Sequence, residues 1–231
     1  SNAFQLQRAR QLPGSTPSWD MLLSFTASAE DPISGGRHKV IGSKPLFIPP
    51  QTSTIASHLP KAVGAAFSIP LAKRLKLDGA VMPADAIVVA TFGDASANHS
   101  TAQGAFNTAG WSAFQGSPLP LVFVCEDNGI GISTRTPAGW IAAQFEQRAG
   151  LHYIRASGLD IADAWRGARA AADYARTRKK PVFLHLETVR LYGHAGSDVQ
   201  LTYLPKAVIE ADEERDPLAF GAALMVEQGL M

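Results

Sequence analysis

Three continuous apolar runs, set apart by long segments that include helix-length stretches of helical periodicity, constrain this chain more than any other feature. The runs are Ala86-Ile87-Val88-Val89-Ala90-Thr91-Phe92, Leu121-Val122-Phe123-Val124-Cys125 and Val182-Phe183-Leu184-His185-Leu186-Glu187-Thr188-Val189. They are short and rich in β-branched residues, so they read as strands buried on both faces, the first a central one. Residues 100–114 are helical in pattern, with Ala102, Phe106, Ala109 and Ala113 on one stripe and Gly116 near the end. Asp160 is placed to cap a helix bearing Ile161, Ala164, Trp165, Ala168, Ala172 and Ala175, which closes on Arg178-Lys179-Lys180 as the helix dipole prefers. Ahead of the first run, Leu59, Val63, Phe67, Leu71 and Leu75 recur every four residues. Pro60 suits the first turn of that helix, and Pro70 is expected to kink or interrupt it. The order predicts an α/β fold, a mainly parallel sheet flanked by helices.

The first fifty residues contrast with this. Leu12-Pro13-Gly14-Ser15-Thr16-Pro17, Asp31-Pro32-Ile33-Ser34-Gly35-Gly36 and Ile48-Pro49-Pro50 punctuate them, leaving one short helical or extended piece around residues 19–25. Ser1-Asn2-Ala3 reads as an expression scar. The expected organisation is therefore residues 1–3 as scar, 4–50 as a loop-rich segment and 51–231 as the α/β domain. A formal net charge of +1 favours neither nucleic acid nor a membrane surface as partner. No apolar stretch reaches the roughly 20 residues that span a bilayer. The single cysteine, Cys125, cannot form an internal disulfide, which fits a reducing cytoplasm.

Ligands of open parallel sheets bind beyond the carboxyl ends of the strands. The three runs lead there into Gly93-Asp94-Ala95-Ser96-Ala97-Asn98, Glu126-Asp127-Asn128-Gly129-Ile130-Gly131-Ile132-Ser133 and Tyr192-Gly193-His194-Ala195-Gly196-Ser197-Asp198. Mg²⁺ wants about six oxygens, usually one or two carboxylates completed by carbonyls, water and phosphate. Asp94, Asn128 and a backbone carbonyl near Ile130 could supply three. Small residues at Gly93, Ala95 and Ser96, before a helix N-terminus, let backbone N–H groups approach an anion. Taken singly, a Gly-Asp strand end, an Asn-Gly turn and one histidine are ordinary features of α/β proteins. Their coincidence at corresponding strand ends is what points to a site.

The ordered set resembles the thiamine-diphosphate motif of the 2-oxoacid dehydrogenase family. The alpha subunits of its branched-chain 2-oxoacid and pyruvate dehydrogenases look most similar. Gly93-Asp94-Ala95 followed by Asp127-Asn128 resembles the paired motif halves. Thr54-Ile55-Ala56-Ser57-His58-Leu59-Pro60 resembles the segment beside the aminopyrimidine ring, and Tyr192 to Asp198 the loop whose histidine meets the diphosphate. The resemblance implies a thiamine-diphosphate-binding fold, with thiamine diphosphate and Mg²⁺ as cofactors. It implies Asp94, Asn128 and the Ile130 carbonyl on the metal, and Gly93, Ala95, Ser96 and Asn128 at the diphosphate. Ser53 and Ile55 would lie by the pyrimidine, with His194 as the catalytic and diphosphate-contacting histidine. Two positions depart from the pattern. Ala95 replaces a glycine, acceptable only where φ is not positive, and Asp127 replaces an asparagine and adds a carboxylate beside an anionic cofactor.

The implied reaction is oxidative decarboxylation of a 2-oxoacid, the acyl group passing to a lipoyl-bearing acyltransferase, with a beta-type subunit or domain completing the active site. The chain is expected to be a fragment, inactive alone and part of an oligomer. Phe47 and Ile48 are candidates for the acyl pocket or for core or interface packing. Two other readings remain: an acetoin-cleaving or transketolase-like thiamine enzyme, and a non-catalytic assembly module of the same fold.

Overall fold

A computed structural model describes residues 16–37 and 40–230, in two units, one running through His58 and the other from Leu59. Ser1-Asn2-Ala3 and Leu12-Pro13-Gly14-Ser15 lie outside the described residues. In the first unit, Thr16 precedes helix α1 (Pro17–Phe25), where the sequence predicts a short element. An antiparallel hairpin of β1 (Ile41–Ser43) and β2 (Ile48–Gln51) corrects the expectation of loop around Ile48-Pro49-Pro50. Proline lacks an N–H, so a two-stranded ribbon with an open edge is where it is tolerated. Phe47 sits exposed at the turn of that hairpin, which rules out a core role for it.

Helix α2 (His58–Leu75) opens the second unit and runs through Pro70 without interruption. Its buried stripe is Leu59, Ala62, Val63, Ala66 and Ile69, whereas the predicted Phe67 and Leu75 are exposed. The small alanines face inward because close packing, not hydrophobicity alone, selects that face.

The sheet consists of β3 (Val88–Gly93), β4 (Leu121–Asp127), β7 (His152–Ser157) and β8 (Val182–Glu187), in the order β3-β4-β8-β7, every pair parallel. Between β4 and β7 stand a small hairpin of β5 (Ile130–Gly131) and β6 (Thr134–Arg135) and the short helix α4 (Trp140–Phe145). Helix α3 (Ser100–Phe114) links β3 to β4, and α5 (Ile161–Arg178), capped by Asp160 as predicted, links β7 to β8. Helices α6 (Lys206–Glu213) and α7 (Pro217–Glu227) follow.

Two expectations are corrected. β3 is an edge strand of this sheet rather than a central one, and its Val89 is 56% exposed. The buried stripe of α5 is Gly167, Ala171 and Ala175, while Ile161 and Trp165 face outward. An added Cβ at Gly167 would come within 2.8 Å of the Ala156 Cβ, so helix and strand approach too closely for larger residues on that face.

Alternation along the strands divides the core into two layers of different chemistry. Val122, Val182 and Leu184 pack with Ala171 and Ala175 under α5. Phe92, Phe123 and Phe183 point to the other face and meet Phe106 of α3 and Phe145 of α4 in edge-on and stacked contacts, centroids 3.9 to 5.9 Å apart. Phe183 touches three of these rings. Phe183→Ala should therefore lower unfolding free energy by about 3–5 kcal/mol, read by urea denaturation; a loss below about 1 kcal/mol would contradict the assigned core.

Candidate functional site

Parallel register fixes the geometry of the strand ends. Gly93 pairs with Glu126, so the residues that follow each, Asp94 and Asp127, emerge side by side. Asp127 in turn pairs with Glu187 at the end of β8. After Gly93 the chain closes a 3₁₀ turn, Asp94–Asn98, before His99 caps α3 by accepting from the Thr101 N–H.

Asp94 is 1% exposed. The Thr136 hydroxyl donates to its Oδ2, and the Asn128 backbone N–H also donates to its carboxylate. Burial drives this carboxyl above the ordinary carboxylate range, and the Asp127 charge adds to the rise against those hydrogen bonds. Asp127 shifts the other way. Burial would raise it, but the His185 ring, 2.9 Å from its Oδ2, and the Gly129 N–H hold it below its usual value. The structure thus brings Asp94 and the Asn128 loop together and separates two neighbouring carboxylates in behaviour.

The Asn128 side-chain oxygen accepts the Ile130 N–H at 3.1 Å. Thr136 donates its N–H to the Gly129 carbonyl, which makes Ile130–Arg135 the non-hydrogen-bonded pair of the β5–β6 ladder. The Ile130 carbonyl therefore turns away from β6, available to a ligand in a way its neighbours are not. The departure at Ala95 is resolved here too. Its φ is not positive, and a Cβ at Gly131 would come within 2.2 Å of the Ala95 Cβ. The missing side chain of one turn makes room for the methyl group of the other.

Among the described residues, no three His, Cys, Asp or Glu side chains gather closely enough to hold a metal ion. A cation bound here would have at most two such side chains and would need neutral amide and carbonyl oxygens to complete its set. Asn98, at the end of the 3₁₀ turn, is otherwise engaged: its amide oxygen accepts from Trp140 Nε1 and Gln144 Nε2 of α4. Gly93 precedes Asp94 at the end of β3, and Ser96 follows it within the 3₁₀ turn. Ser53 and Ile55 belong to the first unit, where both are exposed.

His194 is exposed, and its backbone N–H donates to Asp198 Oδ2 at 2.6 Å. Tyr203 donates to the same oxygen and Arg190 Nη2 donates to the Tyr203 hydroxyl. These hydrogen bonds, the Tyr203 one foremost, hold the Asp198 carboxyl below its usual value. Arg190 also donates through Nη1 to the carbonyl of Ile132, a β-branched residue at φ +55° on the hairpin tip. One arginine thereby ties the His194 loop to the hairpin that follows Asn128. Thr136, His185, Tyr203 and Arg190 all escape sequence reasoning, although Thr136 and Arg190 lie within three residues of quoted strand-end motifs and His185 lies within a quoted strand.

The family model described as "Dehydrogenase E1 component" matches residues 9–231. This chain belongs to that family. Among curated members, it is 28% identical over 218 residues to the 2-oxoisovalerate dehydrogenase subunit alpha of Bacillus subtilis, covering 92% of this chain and 61% of that one. It is 31% identical over 149 residues to the testis-specific mitochondrial pyruvate dehydrogenase E1 component subunit alpha of Homo sapiens, covering 63% and 37%. This E1-family chain thus spans about three fifths of the first relative and less of the second. A transketolase variant from Pichia stipitis superposes with TM-score 0.46 and 21% identity over 60% of this chain and 20% of its own. Among the described residues, no helix is long and apolar enough to cross a membrane.

Gly131→Ala should cost about 1–3 kcal/mol by overpacking against Ala95, and adding Ala95→Gly should recover most of it. Urea midpoints of the two single variants and the double variant test the contact; additive losses would refute it.

Proposed function

We propose that this chain is the part of a thiamine-diphosphate-dependent 2-oxoacid dehydrogenase that holds the cofactor's diphosphate and Mg²⁺. The observation that carries the reading is the meeting of the Asp94 carboxylate and the Asn128 loop at adjacent parallel strand ends, in a chain of the E1 family. The donor set fits the ion. A buried carboxylate raised by its surroundings is relieved by a cation, and an amide oxygen and an out-turned carbonyl add neutral hard oxygens.

In this reading Asp94, the Asn128 side chain and the Ile130 carbonyl hold Mg²⁺, with Gly93, Ala95 and Ser96 along the diphosphate. Asn128 would exchange its Ile130 hydrogen bond for the ion. When bound, thiamine diphosphate would supply the electron sink for the pair released by decarboxylation. The chain's own residues orient the site: Thr136 fixes the Asp94 carboxylate, and Arg190 fixes the hairpin and the His194 loop. His194, exposed on that loop, is free to meet diphosphate and guide a proton or the lipoyl group. Ser53 and Ile55 are assigned to the pyrimidine.

The complementary parts are a beta-type subunit or domain and a lipoyl-bearing acyltransferase, with cytoplasmic localisation for the assembly. Trp111 and Phe114 of α3, 67% and 81% exposed, support burial against another subunit. Ala95 and Asp127, the departures that make a non-catalytic module conceivable, both have structural partners in Gly131 and His185.

The test is thermal unfolding of the intact protein with Mg²⁺ and thiamine diphosphate. At a hundred times Kd the ligand should add about 2.7 kcal/mol; no shift in a well-folded sample would overturn the reading. Asp94→Asn should abolish that shift without destabilising the ligand-free protein at neutral pH. A carboxyl with a raised folded pKa loses stability as pH rises from its unfolded value through the folded one, so removing its charge removes a cost.

A further inference from the structure

Asp127 poses a problem for any anion bound at these strand ends. It immediately precedes Asn128, stands beside Asp94 across the β3–β4 register, and places a second negative charge where diphosphate would add more. The structure shows where that charge goes. Cys125 of β4 pairs with His185 of β8, so Asp127, two residues on, projects from the same face as His185 and lies diagonal to it. His185 Nε2 meets Asp127 Oδ2 at 2.9 Å, and the ring is only 3% exposed. On its far side, His185 Nδ1 meets the Tyr153 hydroxyl of β7 at 2.7 Å. The other Asp127 oxygen accepts the Gly129 N–H, and the Asp127 carbonyl accepts from Thr188.

Every polar atom of this chain has a direction. A carboxylate only accepts, so His185 Nε2 carries a proton and donates it; in the neutral ring Nδ1 is then an acceptor, with Tyr153 as its donor. Burial pushes Tyr153 up to about 12, so it keeps its proton at any ordinary pH. Hydrogen bonds aligned in one sense strengthen one another. They run from β7 through β8 and end on Asp127.

Resting on the assignment of Asp94 and Asn128 to the metal, we propose that His185, backed by Tyr153, is a positioning residue that draws the Asp127 carboxylate aside, so that one carboxylate and not two faces the Mg²⁺-diphosphate. Without the histidine, Asp127 would be a part-buried charge with no side-chain donor. Turning toward the ion would be its nearest relief, at the expense of repelling the diphosphate and displacing Asn128.

Calorimetric titration of thiamine diphosphate at saturating Mg²⁺ tests this on the intact protein with any subunit that co-purifies, alongside urea unfolding of the ligand-free protein. His185→Leu should weaken the cofactor about tenfold or more. His185→Gln, whose amide can donate to Asp127 and accept from Tyr153, should stay within about threefold. The deciding variant is His185→Leu with Asp127→Asn, in which the stray charge is gone: binding should return to within about threefold of the native protein. A purely structural histidine would lower stability and leave affinity unmoved, or leave the double variant as weak as the single; either result overturns the proposal. If His185→Leu does not fold, Tyr153→Phe takes its place. It should weaken binding about two- to threefold, and Asp127→Asn should abolish that sensitivity; unchanged affinity in Tyr153→Phe overturns the proposal equally. A native protein that binds no cofactor would instead overturn the metal-site reading on which this one rests.

Discussion

The buried Asp94 carboxylate is the group around which the rest of the site is arranged. It sits at the mouth of a parallel strand, receives the Thr136 hydroxyl and the Asn128 N–H, and lies within reach of the charge on Asp127. An ionised carboxyl in that position is costly unless something positive arrives. The parallel register β3-β4-β8 makes the arrangement unavoidable, because strands running in one direction present all their trailing residues at one edge. In the chain order β3 is followed by its neighbour β4 and β7 by its neighbour β8, and the two pairs meet between β4 and β8. Asp127 and Glu187 end those two strands.

Two pairings convert departures from the family pattern into a consistent structure. The methyl group of Ala95 occupies the space that Gly131 leaves, and the charge of Asp127 is taken up by His185. Each is a compensation between residues 36 to 58 positions apart in the chain, so neither partner explains itself alone. The Arg190 contacts act on a third pair of segments, holding the His194 loop to the hairpin tip at Ile132. The site is thus assembled from turns that are individually irregular and mutually fixed.

Much of this was legible in the sequence. Strands β3, β4 and β8 are continuous apolar runs and were recognisable as such, as were α3, α5 and the strand-end motifs that follow. What escaped has physical reasons. β7, His152–Ser157, carries His152, Tyr153 and Arg155 among its six residues, so it has no apolar run to announce it; its burial comes from the neighbours it pairs with. The edge position of β3 depends on which strands join the sheet, a tertiary fact that a local pattern does not encode. The α5 stripe was misjudged because Ile161 and Trp165 outweigh Gly167 and Ala171 in hydrophobicity, while the close approach of helix to strand admits only the small residues. Asp94, Asn128 and Ile130 stand in the strand-end motifs that carry the family resemblance, but Thr136, His185 and Tyr153 come from contacts 32 to 58 residues apart.

The central claim is that one divalent cation is shared by the Asp94 turn and the Asn128 loop. Mn²⁺ can replace Mg²⁺ as a hard, oxygen-seeking ion and is located directly by its anomalous scattering. A crystal of the protein with Mn²⁺ and thiamine diphosphate should place the anomalous peak in contact with the Asp94 carboxylate, the Asn128 amide oxygen and the Ile130 carbonyl, with Asp127 still on His185. A peak ligated by Asp127, or one lying away from the β3 and β4 ends altogether, would contradict the account.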